Sequence, residues 1–215
     1  MARDIKICGL STPETLEAAL NGGASHAGFI FFAKSPRNVT VEQAASLRKA
    51  ALGRAKAVAV TVDADDDFLA AVVAGMQPDM LQLHGHESPA RTAEIRARFG
   101  LPVMKAFAVS EAADLLAIAP YTGIADRLLF DAKPPKNAAL PGGNGLAFDW
   151  KLLAALDGSV DYMLSGGLNA ANVGEAILQA NPPGLDVSSG VESAPGVKDI
   201  ALIGEFFKAV RAAGG

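Results

Sequence analysis

What most constrains this chain is a rhythm of element types. Short β-branched or apolar runs alternate with longer Ala-, Leu-, Glu- and Arg-rich segments, about eight times, at a spacing of roughly 25 residues. Strands are predicted over Ile5–Cys8, Ala27–Phe31, Ala57–Val62, Met80–His84, Val103–Phe107, Leu128–Asp131, Tyr162–Ser165 and Leu185–Ser188. Helices are predicted over Pro13–Leu20, Val41–Ala51, Asp66–Ala74, Pro89–Phe99, Glu111–Ile118, Trp150–Leu156, Ala170–Gln179 and Asp199–Ala212. Continuous apolar strands such as Ala57-Val58-Ala59-Val60 suit a parallel sheet covered on both faces. Eight such units favour a closed (β/α)₈ TIM barrel over an open flavodoxin-like sheet. The expectation is a single α/β domain over residues 1–215, with few insertions because the length is near the lower limit for that fold. The segment 132–147 is a long loop rich in Pro, Gly and Lys, the kind that is either a functional lid or disordered.

Charge and cysteine usage narrow the function. The net charge is −4 and no Lys/Arg block stands out, which argues against a nucleic-acid surface. No apolar run is long enough to span a bilayer, and no leader pattern opens the sequence, so a membrane partner is not expected. A single cysteine excludes an internal disulfide and suits a reducing cytoplasm. Three His without HxH or HExxH spacing argue against a metal site. The acidic loop Asp63, Asp65, Asp66 and Asp67 lacks the EF-hand spacing and reads as charge at a helix N-terminus.

In a barrel, chemistry sits at the C-terminal strand ends. That rule places Cys8, His84 and Asp131 at the active face, with Arg37 in the loop after the second strand. Cys8 alone has two readings, an inert buried hydrophobe or a base. Asp131, ending an apolar strand, is placed to act as an acid opposite it. Arg37 follows Ser35-Pro36, and a guanidinium there recognises carboxylates or phosphates. Period-2 alternation puts Gln82 and His84 on one face, pointing into the barrel if Leu81 and Leu83 face the helices. Lys6 shares the face of Cys8, a layer deeper, and is read first as structural. Gly166-Gly167 and Ser189-Gly190 follow the seventh and eighth strands, where phosphate sites recur in this architecture. Asn169 is the predicted N-cap of the next helix.

Six segments stand together in order: Lys6-Ile7-Cys8-Gly9-Leu10, Ser35-Pro36-Arg37, Gln82-Leu83-His84-Gly85, Gly142-Gly143-Asn144-Gly145 with Phe148-Asp149-Trp150, Ser165-Gly166-Gly167-Leu168, and Asp186-Val187-Ser188-Ser189-Gly190-Val191-Glu192. As a set they resemble the phosphoribosylanthranilate isomerase family. The resemblance implies a cofactor-free, metal-free Amadori rearrangement of a phosphorylated sugar–anthranilate conjugate in tryptophan biosynthesis. It implies Cys8 as general base, Asp131 as general acid, Arg37 on the anthranilate carboxylate, and phosphate loops at Gly166, Gly167, Ser189 and Gly190. A cytoplasmic monomer or homodimer is expected. Asn144 and Ser11 stand where the family often has threonine. Rival readings are another sugar-phosphate barrel, such as ribulose-phosphate epimerase or the histidine-pathway isomerase, and a phosphate-binding scaffold without catalysis. The epimerase reading wants metal ligands and the histidine-pathway reading an aspartate in place of Cys8. Intact Cys8, Asp131 and Arg37 argue against the scaffold.

Overall fold

Strand residues alternate between two apolar environments, and that alternation builds the molecule. In β1 (Asp4–Cys8), Ile5 and Ile7 pack outward among the helices, while Cys8 joins an inner cluster with Val58, Val60, Met80, Met104 and Met163. The computed structural model describes residues 3–133, 142 and 147–214. After β1 come α1 (Pro13–Gly22), β2 (His26–Phe31), α2 (Val41–Ala51), β3 (Lys56–Thr61), α3 (Asp66–Met76), β4 (Met80–Leu83), α4 (Pro89–Phe99) and β5 (Val103–Val109). The second half carries β6 (Arg127–Ala132), β7 (Tyr162–Leu164), α5 (Val173–Ala180), β8 (Gly184–Val187), a hairpin of β9 (Glu192–Ala194) and β10 (Val197–Lys198), and α6 (Ile200–Ala212). The first eight strands close into a parallel barrel, β1 pairing with β2 and with β8. The expected (β/α)₈ fold is what the chain forms.

Two crossovers depart from expectation. Ala112–Tyr121 and Trp150–Ala155 are 3₁₀ helices where α-helices were predicted. The first buries none of its residues and contains Pro120, which lacks an N–H. Without a buried apolar face, little enforces α geometry. The expected loop 132–147 lies mostly outside the described residues. Among the described residues no helix is long and apolar enough to cross a membrane.

The barrel interior is filled unevenly along its axis. Met80, Met104, Met163 and Val58 plug the lower layers with flexible or branched apolar side chains. Above them the inward positions turn polar, with Lys6, Gln82, Asp186, Asp131 and Ser165 all buried. Buried polar groups need partners, and those partners shape the site.

Candidate active site

The polar layer opens into one cavity at the C-terminal mouth, enclosing about 660 Å³ counted out to open solvent. Cys8, Arg37, His84 and Asp131 line it, and so do Gly166, Gly167 and Ser189. Seven of the eight site residues predicted from sequence therefore meet there; Gly190 does not.

Cys8 ends β1, free and buried. Its neighbours follow from register. Cys8 pairs with Gly28 of β2, and Lys6 pairs with Asp186 of β8. Lys6 is completely buried and its Nζ donates to Asp186 Oδ1 at 2.8 Å. Asp186 Oδ2 accepts from Ser165 Oγ at 3.1 Å. Burial works against the Lys6 ammonium, but Asp186 and Cys8 outweigh it and push its pKa up to about 12. For Cys8, burial dominates and raises the thiol, with Lys6 pulling down, Asp186 pushing up and Lys198 pulling down. A thiol that serves as a base near neutral pH calls for a lowered pKa instead. The dry site overrides the cations around it.

Asp131 sits near the end of β6, three strands round the barrel from Cys8, and is 6% exposed. Its Oδ1 accepts from the Ala132 N–H at 2.9 Å. Its Oδ2 lies 3.3 Å from His84 Nε2. The Gln82 amide nitrogen is 2.9 Å from His84 Nδ1. So oriented, Gln82 donates, Nδ1 accepts, and a neutral His84 carries its proton on Nε2, facing Asp131. His84 thus points into the barrel, as alternation predicted. A Cβ at Gly142 would stand 2.5 Å from Asp131 Oδ2 and 2.7 Å from His84 Nε2, so a larger residue there would push the pair aside.

The Arg37 guanidinium is already engaged by a carboxylate of the protein itself. Its Nε and Nη2 donate to the two Glu192 oxygens at 2.7 and 2.8 Å, a bidentate pair that is nearly wholly buried. Lys198 Nζ donates to Glu192 Oε1 and to Ser188. Burial would raise the Glu192 carboxyl, yet Arg37 and Lys198 hold it below its usual range. Two cations on one carboxylate leave one net positive charge at this wall. Arg37 Nη1 has no hydrogen bond among the described residues. Gly9 also earns its place in the first motif, since its φ is +80° and a Cβ there would stand 2.8 Å from Arg37 Cδ.

The glycine loops have distinct jobs. Gly166 and Gly167 take left-handed φ of +88° and +65°, and a Cβ on Gly166 would stand 2.4 Å from the Ala132 nitrogen. Gly190 packs under Leu168, whose carbonyl oxygen would lie 1.8 Å from an added Cβ. Its visible role is to let the two loops touch. Ser189 opens a 3₁₀ turn, Ser189–Val191. The expected helix start also moves. Asn169 caps a turn through Ala171 and Asn172, and α5 begins only at Val173. Asn172 then donates to the Gly167 carbonyl at 2.9 Å and steadies the glycine loop.

Sequence reasoning gave no role to Glu192, Lys198, Asp186 or Ser165. Alternation does place Asp186 inward, two residues before Ser188. Its pairing with Lys6, 180 positions away, is set by barrel closure and has no local signal.

A closed barrel with its polar layer gathered at the C-terminal mouth defines a (β/α)₈-barrel enzyme acting on a small molecule. The family model for N-(5′-phosphoribosyl)anthranilate (PRA) isomerase matches residues 5–209. An N-(5′-phosphoribosyl)anthranilate isomerase of Mesorhizobium japonicum is 70% identical over 213 residues, 99% of this chain and 97% of that protein. The crystal structure of phosphoribosyl anthranilate isomerase from Thermotoga maritima superposes with a TM-score of 0.88 at 33% identity, covering 98% of this chain and all of that one. A further such isomerase, crystallised with reduced 1-(o-carboxyphenylamino)-1-deoxyribulose 5-phosphate, superposes at 0.85 with 31% identity over 98% of this chain and 100% of that one. The chain belongs to the phosphoribosylanthranilate isomerase family. Its reaction is the rearrangement of N-(5-phospho-β-D-ribosyl)anthranilate to 1-(2-carboxyphenylamino)-1-deoxy-D-ribulose 5-phosphate in tryptophan biosynthesis.

Proposed function

We propose that Cys8 and Asp131 divide the proton transfers of this rearrangement. Asp131, protonated, donates to the ribose ring oxygen as the C1–O bond breaks and the anilino nitrogen's lone pair forms a C1=N iminium. Cys8, as thiolate, takes the proton from C2. The C–H electron pair forms C1=C2 and neutralises the iminium nitrogen. The resulting enolamine tautomerises, with a proton added at C1 and the C2 hydroxyl becoming the ketone. Cys8 forms no covalent bond to substrate.

The observation that carries this reading is the pair itself: a buried thiol and a buried carboxylate lining one cavity from different strands. Three other features fit it. His84 Nε2 lies 3.3 Å from Asp131 Oδ2 and flanks the acid inside the same cavity. Arg37, oriented by Glu192, presents Nη1 for the anthranilate carboxylate. Gly167 and Ser189 offer the loop backbone for the phosphate. Each bond change is coupled to a proton transfer and none changes the overall oxidation level, so the chemistry as read calls on no cofactor or metal. The reading takes residues 1–215 as one domain with a complete site, in a monomer or a homodimer alike. It also takes a reducing, cytoplasmic setting, which would keep the single thiol free.

The test follows loss of substrate fluorescence with freshly made phosphoribosylanthranilate. Cys8→Ser and Asp131→Asn should each lower kcat by at least about a hundredfold, the scale of acid–base groups. Wild-type turnover in either variant would overturn its assignment.

A further inference from the structure

The mechanism asks a buried thiol to become a thiolate, yet burial opposes that charge. The question is what compensates.

One fixed cation is Lys6, two residues earlier on β1 and on the same inward face. The strand beside it makes room. Gly28 of β2 pairs directly with Cys8. A Cβ built on Gly28 would stand 3.0 Å from Lys6 Cε and 3.1 Å from Cys8 Sγ. Those two atoms therefore border one empty slot and are no more than about 6 Å apart. Any larger residue would wedge between them. The ammonium is anchored by Asp186 at 2.8 Å, and Asp186 is itself held by Ser165. At such a separation in a dry interior, a charge acts on its neighbour far more strongly than in water.

We propose that Lys6 is the fixed cation that stabilises the Cys8 thiolate as it forms, with Gly28 leaving the slot between them and Asp186 setting how strongly the ammonium acts. Lys6 acts through Cys8 and keeps its own proton throughout. The inference rests on Cys8 being the base.

The other charges facing Cys8 are Lys198 of β10 and Arg37 of the loop after β2. Both are bound to Glu192, whose single carboxylate offsets only one of their two charges. Lys6 differs in being tied to a carboxylate that can be neutralised separately. That makes the test a matter of sign.

The chain has one cysteine, so the pH dependence of iodoacetamide alkylation, read by mass spectrometry on the intact protein, reports Cys8 alone. Lys6→Met should move the alkylation midpoint up by about one pH unit or more, a tenfold loss of thiolate at fixed pH. Asp186→Asn should move it down, because the ammonium then acts unopposed. A merely structural role for the pair would move both variants the same way, and that result, or no movement in either, would overturn the proposal. If Lys6→Met does not fold because Asp186 is left unpaired, the double variant Lys6→Met/Asp186→Asn removes the pair whole. Its midpoint should lie above wild type, and a midpoint at or below wild type would overturn the proposal. In turnover, Lys6→Met should lower kcat with KM little changed, since Lys6 does not meet substrate. The two readings fail separately. Full activity in Cys8→Ser removes the base assignment, whereas unmoved alkylation midpoints remove Lys6 alone.

Discussion

The two ends of this barrel both carry charged side chains, but they use them in opposite ways. At the N-terminal end one device is repeated. Asp79, just before β4, accepts from the Ala57 N–H at 2.7 Å while Arg48 of α2 pairs with it. Two units on, Asp126, just before β6, accepts from the Val103 N–H at 2.9 Å while Arg96 of α4 pairs with it. In each case the aspartate's own N–H donates back to the same residue's carbonyl. The result pins the start of each strand to its neighbour. At the C-terminal end nothing repeats. Lys6–Asp186, Arg37–Glu192–Lys198 and His84–Asp131 are three different clusters, their side chains deeply buried apart from His84, and each borders the cavity through at least one member. The repeated end holds the fold, and the irregular end is shaped by what it binds.

The largest effect that separates the ends is expected at Glu192. Glu192→Gln leaves Arg37 and Lys198 buried without their shared counter-charge. Breaking a buried pair of this kind costs about 3 kcal/mol or more. The loss should appear in urea unfolding, and KM should rise by at least about tenfold as Arg37 loses its orientation, by analogy with truncating one partner of a desolvated charge pair. A variant as stable as wild type with an unchanged KM would place this cluster with the ordinary surface pairs and erase the contrast.

This division bears on how much could be read from sequence. The barrel was legible because period-2 strands and their spacing repeat, and the strand-end rule then found Cys8, His84 and Asp131 without any contact information. Gly9 was legible only as part of a motif; that it makes room for Arg37 depends on a loop folding over it. Lys6 was visible on the right face, but its partner comes from the last barrel strand. Glu192 lay within a recognised segment, yet nothing local says that a hairpin turns it toward Arg37 and Lys198. The helix expected over Glu111–Ile118 stopped short of Pro120, but the 3₁₀ geometry of Ala112–Tyr121 had no local cue, because it follows from a segment that buries none of its residues. What sequence missed are long-range charge pairings, which closure of the barrel creates.

At the N-terminal end, His26 provides a pH-dependent test. It is buried, its Nδ1 lies 2.8 Å from Ser25 Oγ, and its Nε2 has no partner among the described residues. Burial lowers its pKa to about 4; Asp4 opposes this, while Arg127, Lys56 and Lys6 reinforce it. Between pH 4 and the unfolded value near 6.5, the unfolded chain binds a proton that the folded chain refuses. Stability from this group is therefore complete above about pH 6.5 and lost as pH falls toward 4, roughly 2 kcal/mol between pH 7 and pH 5. His26→Phe should flatten that part of the pH–stability curve without shifting the pH dependence of Cys8 alkylation. A parallel change in alkylation would mean that the two ends are electrostatically joined through Lys6.

The smallest effect is expected from the repeated device itself. Asp126→Ala removes one acceptor from the Val103 N–H and one side-chain partner from Arg96. The ion pair is partly exposed and screened, so the backbone bond dominates and the loss should be about 1 kcal/mol. Asp79→Ala removes the same two interactions between β3 and β4 and should cost a similar amount. The two sites share no partner and lie in different strand pairs, so their losses should add in the double variant to within about 0.5 kcal/mol. Both variants should keep wild-type kcat and KM. A fall in kcat from either would show that strand starts at one end set side-chain positions at the other, and the N-terminal end could no longer be treated as scaffold alone.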